Sequence, residues 1–172
     1  MTLLVSDTSS LVSVGCADQY EPSALSLLFD GFEVIAPQTV VNELEKLASY
    51  EHDHRHAAKA AEAALDPAQI VSQPHISDSI PPLDPGERAA IELAKSKRAE
   101  YLLCDEFNSL TLINSALDDT GLLTTPTLIT AFVDNNVLAK TEAQAQLSDI
   151  AAMRSWEGNS YYQRARRTLD RL

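Results

Sequence analysis

One run constrains this chain more than any other: Leu3-Leu4-Val5-Ser6-Asp7-Thr8-Ser9-Ser10-Leu11. An apolar stretch ending in an acid, then hydroxyl residues, then an apolar-periodic segment reads as strand, turn and helix start. Glu100-Tyr101-Leu102-Leu103-Cys104-Asp105 repeats the theme. Further short apolar runs lie at Phe32–Ala36, Gln69–Ser72 and Leu122–Thr124, with helical stretches between them. Strands spaced by helices of this length make parallel βαβ units, which sets the class as α/β. In such an open sheet, ligands bind beyond the carboxyl ends of the strands. Asp7 and Asp105 would both stand there.

The helices are predicted over Ser9–Ala17, Ser23–Phe29, Gln38–Ala48, Ala57–Leu65, 107–117, 126–134, Glu142–Met153 and Tyr161–Arg171. Pro37 and Pro126 each suit a first helical position. In the helix from Pro37, Val40, Val41, Leu44 and Leu47 form one apolar stripe, with Glu43 near its beginning and Glu45 facing elsewhere. Asp84-Pro85-Gly86-Glu87 has the pattern of a capping box and opens a helix to about Arg98, with Ala90, Ile91 and Ala94 inward. Pro74–Pro82 reads as a flexible, turn-rich loop.

The 172 residues suit one domain with a sizeable core, residues 135–172 forming a C-terminal helical extension. No apolar run approaches the about 20 residues needed to cross a bilayer, and the start lacks the pattern of a signal peptide. The only cysteines, Cys16 and Cys104, form no CxxC pair, so a reducing cytoplasm is expected. The net charge of −12 is uneven: from Arg154 onward five arginines meet Glu157 and Asp170, a local +3, which leaves −15 on the rest. Such a body does not hold nucleic acid by charge alone, yet clustered carboxylates around Mg²⁺ are themselves acidic.

Four acids fit that second description. Asp7 and Asp105 end strands, and Glu43 and Glu87 lie in the first turns of helices that start near the same sheet edge. Gathered in one cleft, they would repel unless a cation sat among them. Mg²⁺ or Mn²⁺ takes carboxylate and water ligands, and such ions activate water and stabilise a leaving phosphate oxygen. Each acid also has a plainer use. Glu87 could only complete a capping box, Glu43 could face solvent, and Asp105 and Glu106 could simply end a strand. Asp7 is the hardest to account for this way, because an acid directly after a core strand needs a partner.

Leu4–Leu11, Val40-Val41-Asn42-Glu43-Leu44, Leu83–Ala94 and Leu102-Leu103-Cys104-Asp105-Glu106 together resemble the PIN-domain family, including the VapC-type ribonuclease toxins. The resemblance implies a three-layer α/β/α fold and metal-dependent hydrolysis of RNA phosphodiester bonds, giving a 5′-phosphate. It implies Asp7, Glu43, Glu87 and Asp105 as the catalytic, Mg²⁺- or Mn²⁺-binding quartet, with Ser9 as supporting hydroxyl. It further implies the role of a toxin silenced by a small antitoxin, and pairing with a second copy. Thr124-Thr125-Pro126-Thr127 stands where the family commonly has Gly-Thr, and Asn108 where an arginine is frequent.

Two other segments carry chemistry-bearing residues. His52-Asp53-His54-Arg55-His56 loosely echoes a zinc helix, but aspartate replaces the required glutamate and no apolar face anchors it, so an exposed helix start is expected. His75, in the Pro/Ser loop, needs no role. Tyr161, Tyr162, Arg164, Arg166 and Arg167 mix aromatics with cations that can stack on bases and pair phosphates. Tyr162, Ala165 and Leu169 could equally pack that helix, with Trp156 as an anchor. Two rival functions remain: a PIN-like module that binds RNA or protein without cutting, and an aspartate-dependent phosphatase. The phosphatase wants a second aspartate two residues after Asp7, where Ser9 stands.

Overall fold

Five parallel strands in the order β3-β2-β1-β4-β5 form the sheet of this computed structural model, which describes residues 1–72 and 80–172. They are β1 (Thr2–Ser6), β2 (Phe32–Pro37), β3 (Ile70–Val71), β4 (Tyr101–Leu103) and β5 (Gly121–Leu123). The helices are α1 (Thr8–Gly15), α2 (Ala24–Gly31), α3 (Gln38–Ser49), α4 (Arg55–Ala64), α5 (Pro85–Lys97), α6 (Leu110–Ala116), α7 (Thr125–Asp134), α8 (Lys140–Arg154) and α9 (Ser160–Arg171). The order is that of the expected α/β/α layers, and every described strand pairing is parallel.

Alternation along the strands feeds two apolar cores, one on each face. Leu4, Val34, Ala36 and Leu103 point to the side covered by α1–α4 and α7–α9, while Val5, Ile35 and Leu102 point to α5 and α6. Period-two side-chain alternation puts neighbours on opposite faces, and both faces of a parallel sheet are covered. Leu147, Ile150 and Leu169 of α8 and α9 lie in the same core as Leu4. The C-terminal helices are therefore packed onto the sheet's own layer.

Several boundaries differ from expectation for local reasons. Asp7 caps α1, which accordingly begins at Thr8. Pro37 remains the last residue of β2, in extended backbone, and α3 follows it. Thr124 caps α7 through the Thr127 N–H, so the helix starts at Thr125, one residue before Pro126. The helix expected from 107 starts at Leu110, after a turn in which Phe107 N–H donates to Asp105 O and Ser109 N–H to Glu106 O. The loop expected from Pro74 lies outside the described residues through position 79, as does His75; Ile80 is buried against the α5 core.

The consequence for function lies in the strand order. The chain runs outward from β1 to β2 and β3, then returns to place β4 on the other side of β1. Beyond the carboxyl ends of β1 and β4 the connections diverge, which leaves a crevice at the topological switch point.

Candidate active site

The two strands at the switch point are tied together where they end. Asp7 N–H donates to Leu103 O at 3.1 Å, continuing the pairing of β1 with β4 by one residue. The Asp7 side chain, 3% exposed, accepts the Ser10 N–H at 2.9 Å, one of the free donors in the first turn of α1. It also accepts from Ser9 Oγ at 2.7 Å and Cys104 Sγ at 3.1 Å, and Ser10 Oγ lies 2.7 Å from Oδ1. A buried carboxylate is tolerable here because its lone pairs meet donors. Burial, reinforced by the Asp7 carboxylate, pushes the Cys104 thiol far above its ordinary range.

Asp7, Thr8, Ser9, Glu43, Asp84, Gly86, Glu87 and Glu106 line one cleft of about 70 Å³. Four stretches of chain meet there: the start of α1, the second turn of α3, the start of α5 and the turn after β4. Thr8 donates its hydroxyl to Glu43 Oε2. Glu43 in turn presses against Gly86, where a Cβ would fall 2.5 Å from Oε1. Only glycine admits that approach. Glu87 accepts the Asp84 N–H at 3.2 Å, which is its half of the expected capping box, and it also lines the cleft. The plain and the functional uses of Glu87 coexist.

The electrostatics follow from this crowding. Burial pushes the Glu87 carboxyl up to about 7; the Asp84 N–H counters this, while Glu106, Asp84 and Asp7 add repulsion. Glu106 is raised by burial and by Asp7, with the Arg154 guanidinium pulling the other way. Among the described residues none of the lining carboxylates forms an ion pair. Acids held together without cationic partners, over hydroxyl and carboxylate oxygens alone, form a donor set suited to a hard divalent cation.

Asp105 departs from this arrangement. It is 5% exposed and does not line the cleft: Thr125 N–H reaches Oδ1 at 2.7 Å and Thr125 Oγ1 reaches Oδ2 at 2.6 Å. Both oxygens serve the start of α7, and Ser9 Oγ accepts the Asp105 N–H at 3.0 Å. Ser9 thus bridges the two aspartates. Burial is the main reason the Asp105 carboxyl is raised to about 6, against the Thr125 hydrogen bonds. Glu106, the next residue, supplies the carboxylate that faces the cleft. Of the two adjacent acids after β4, Glu106 lines the cleft and Asp105 is clasped by Thr125.

Among the described residues no three or more His, Cys, Asp or Glu side chains are placed closely enough to hold a metal ion by themselves. Mg²⁺ characteristically keeps several waters and binds through one or two carboxylates plus substrate phosphate.

The remaining candidates lie elsewhere. His52 precedes α4, and its Nε2 is 2.8 Å from Leu47 O; His54 Nε2 is 3.0 Å from Met153 O. His52 and His56 therefore do not share a helix face. Arg164, Arg166 and Arg167 are exposed on α9, Arg166 lying 5.8 Å from the Tyr162 ring centroid. Trp156 is buried and meets Phe107 edge-on at 5.0 Å.

A family model described as a PIN domain matches residues 3–171, essentially the whole chain. No curated protein and no solved structure matches it.

Proposed function

This chain belongs to the PIN-domain family, whose members are generally nucleases, and from that premise we propose that it is a metal-dependent endoribonuclease. The observation that carries the proposal is the convergence of Asp7, Glu43, Glu87 and Glu106 on one small cleft with no ion-pair partner. Asp7, Glu43 and Glu87 would hold Mg²⁺ or Mn²⁺, with Glu106 as the fourth carboxylate. In place of the ligand role expected of it, Asp105 positions α7 and, through Ser9, Asp7. When bound, such an ion supplies an activated water and neutralises charge on the leaving phosphate oxygen.

The chain's own residues prepare for this. Thr8 and Gly86 fix Glu43, and Ser9 and Ser10 fix Asp7. With no cation in the cleft the Glu87 carboxyl is raised to about 7, chiefly by burial, so protons and a divalent cation would compete for it near neutral pH. Arg164 of α9 supplies positive charge that the acidic body lacks for holding RNA. The family resemblance supports the finer role of a cytoplasmic toxin silenced by a small antitoxin, and pairing with a second copy. No helix among the described residues is long and apolar enough to cross a membrane.

A second reading has its own observation. Every Asp7 oxygen already has hydrogen-bond partners, as in a PIN-like module that binds without cutting. RNA cleavage with Mn²⁺ or with EDTA separates the two. The nuclease reading expects cleavage that EDTA abolishes. Absence of cleavage of any RNA at millimolar Mn²⁺ overturns it in favour of the silent module.

A further inference from the structure

A second groove lies near the acidic cleft without belonging to it. It occupies about 560 Å³ between α6, α7 and α9, with Leu122 of the edge strand β5 on its floor. Tyr161, Arg164 and Thr168 line it from one face of α9. Opposite them stand Thr111 and Asn114 of α6 and the hydroxyls of Thr124 and Thr127 at the start of α7.

Three observations bear on its occupant. The first is position. Glu106 lines the cleft, its neighbour Phe107 stacks on Tyr161 at 5.2 Å and 16°, and Tyr161 is a wall of the groove. Thr124 in the groove is likewise next to Thr125, which clasps Asp105. From there the groove follows α7, about 15 Å long, to Asp134. The second is chemistry. Short hydroxyls, one amide, one guanidinium and an aromatic ring, set among the apolar Leu110, Leu122, Ala131 and Ala165, match ribose, phosphate and the face of an unpaired base. Protein interfaces centre instead on large buried anchors. The third is charge: among the described residues Arg164 is the one cation on these walls and Asp134 the one acid, and Arg164 belongs to the +3 segment of an otherwise acidic chain.

We propose that this groove holds the unpaired RNA strand beside the scissile phosphate, with Arg164 on a phosphate oxygen and Tyr161 against a base. The assignment rests on the ribonuclease reading and goes further, because it separates Arg164 from Arg166 and Arg167 of the same helix. Arg166 lies over the Tyr162 ring, and neither it nor Arg167 lines the groove.

Fluorescence anisotropy of a short labelled single-stranded RNA, with Ca²⁺ in place of Mn²⁺, reads the groove apart from catalysis. Arg164→Gln should weaken binding about ten-fold and lower the salt slope by about 0.7, one phosphate contact on a single strand. Tyr161→Leu, which keeps an apolar neighbour for Phe107, should weaken it several-fold. Arg167→Gln removes the same charge from the same helix and should stay within two-fold of wild type. Equal losses at 164 and 167, or none at 164, overturn the groove assignment while leaving the nuclease reading intact. Unchanged RNA affinity in Arg164→Gln with a homodimer lost on sedimentation would give the groove to a protein partner and overturn it equally. A wild type that neither binds nor cuts RNA removes the ribonuclease reading itself.

Discussion

Asp7 and Asp105 are the same residue type in nearly the same place, just past the ends of neighbouring parallel strands, yet their surroundings give them different work. Each helps to start a helix: Asp7 receives Ser10 N–H of α1, and Asp105 receives Thr125 N–H of α7. Asp7 still lines the cleft shared with Glu43, Glu87 and Glu106. Asp105 gives its second oxygen to Thr125 Oγ1 and faces away. The lesson is that a buried strand-end acid is defined by the donors it meets, and position relative to the sheet leaves that undecided.

The largest effect expected from this contrast is on chemistry. Asp7→Asn should lower Mn²⁺-dependent RNA cleavage by roughly 10²–10³-fold, the scale of removing one charge-stabilising group from a site. Asp105→Asn should stay within several-fold of wild type. Its carboxamide oxygen can accept Thr125 N–H while its amide donates to Thr125 Oγ1. Comparable losses in both variants would break the distinction and return Asp105 to the metal site.

Much of this was legible in the chain because the relevant signals are local. Apolar strands ending in acids, the Asp84-Pro85 helix start and the stripe Val40-Val41-Leu44 fix their elements by periodicity and capping alone. Asp7, Glu43 and Glu87 follow from those elements, since each lies at a helix start by the same sheet edge. Glu106 does not. After Leu103 the backbone leaves the strand, so alternation no longer tells which of two adjacent acids faces the cleft. The answer depends on Thr125, twenty residues later, in a segment where the family's usual Gly-Thr is absent. Gly86 and Thr8 were equally silent: their roles are contacts with Glu43 from another helix.

The next effect is on stability, and its sign is fixed by the direction in which Asp105 is displaced. Its carboxyl is raised from 3.8 to about 6 in the folded protein. The native state therefore binds more protons than the unfolded chain between those values, and stability falls as pH rises through that window. A tenfold change in proton affinity is worth about 1.4 kcal/mol, so the fall is about 3 kcal/mol. Glu87 and Glu106 are raised as well, so the wild type alone cannot apportion the change. Asp105→Asn should flatten the part between pH 4 and 6 in urea titrations. Thr125→Val, which strips one donor from a buried carboxylate, should cost about 1–3 kcal/mol at pH 7 with an unchanged urea m-value. A pH profile identical in wild type and Asp105→Asn would show that the clasp already compensates the buried charge.

The smallest effect separates site from scaffold within one turn of helix. Gly86 is the second residue of α5, where alanine is the better helix former by up to about 1 kcal/mol. A Cβ there would lie 2.5 Å from Glu43 Oε1 and 2.9 Å from Oε2. Those atoms end a flexible side chain, so Glu43 yields and the backbone stays. Gly86→Ala should therefore leave the melting temperature unchanged or slightly raised, while cleavage at limiting Mn²⁺ falls about ten-fold and the Mn²⁺ requirement rises. Gly15→Ala is the opposite case: its Cβ would lie 2.3 Å from the Ala57 carbonyl oxygen, a backbone atom that cannot swing aside. That variant should lose stability and keep its Mn²⁺ requirement. An unchanged requirement in Gly86→Ala would remove Glu43 from the metal site, leaving its contact with Thr8 as its whole role.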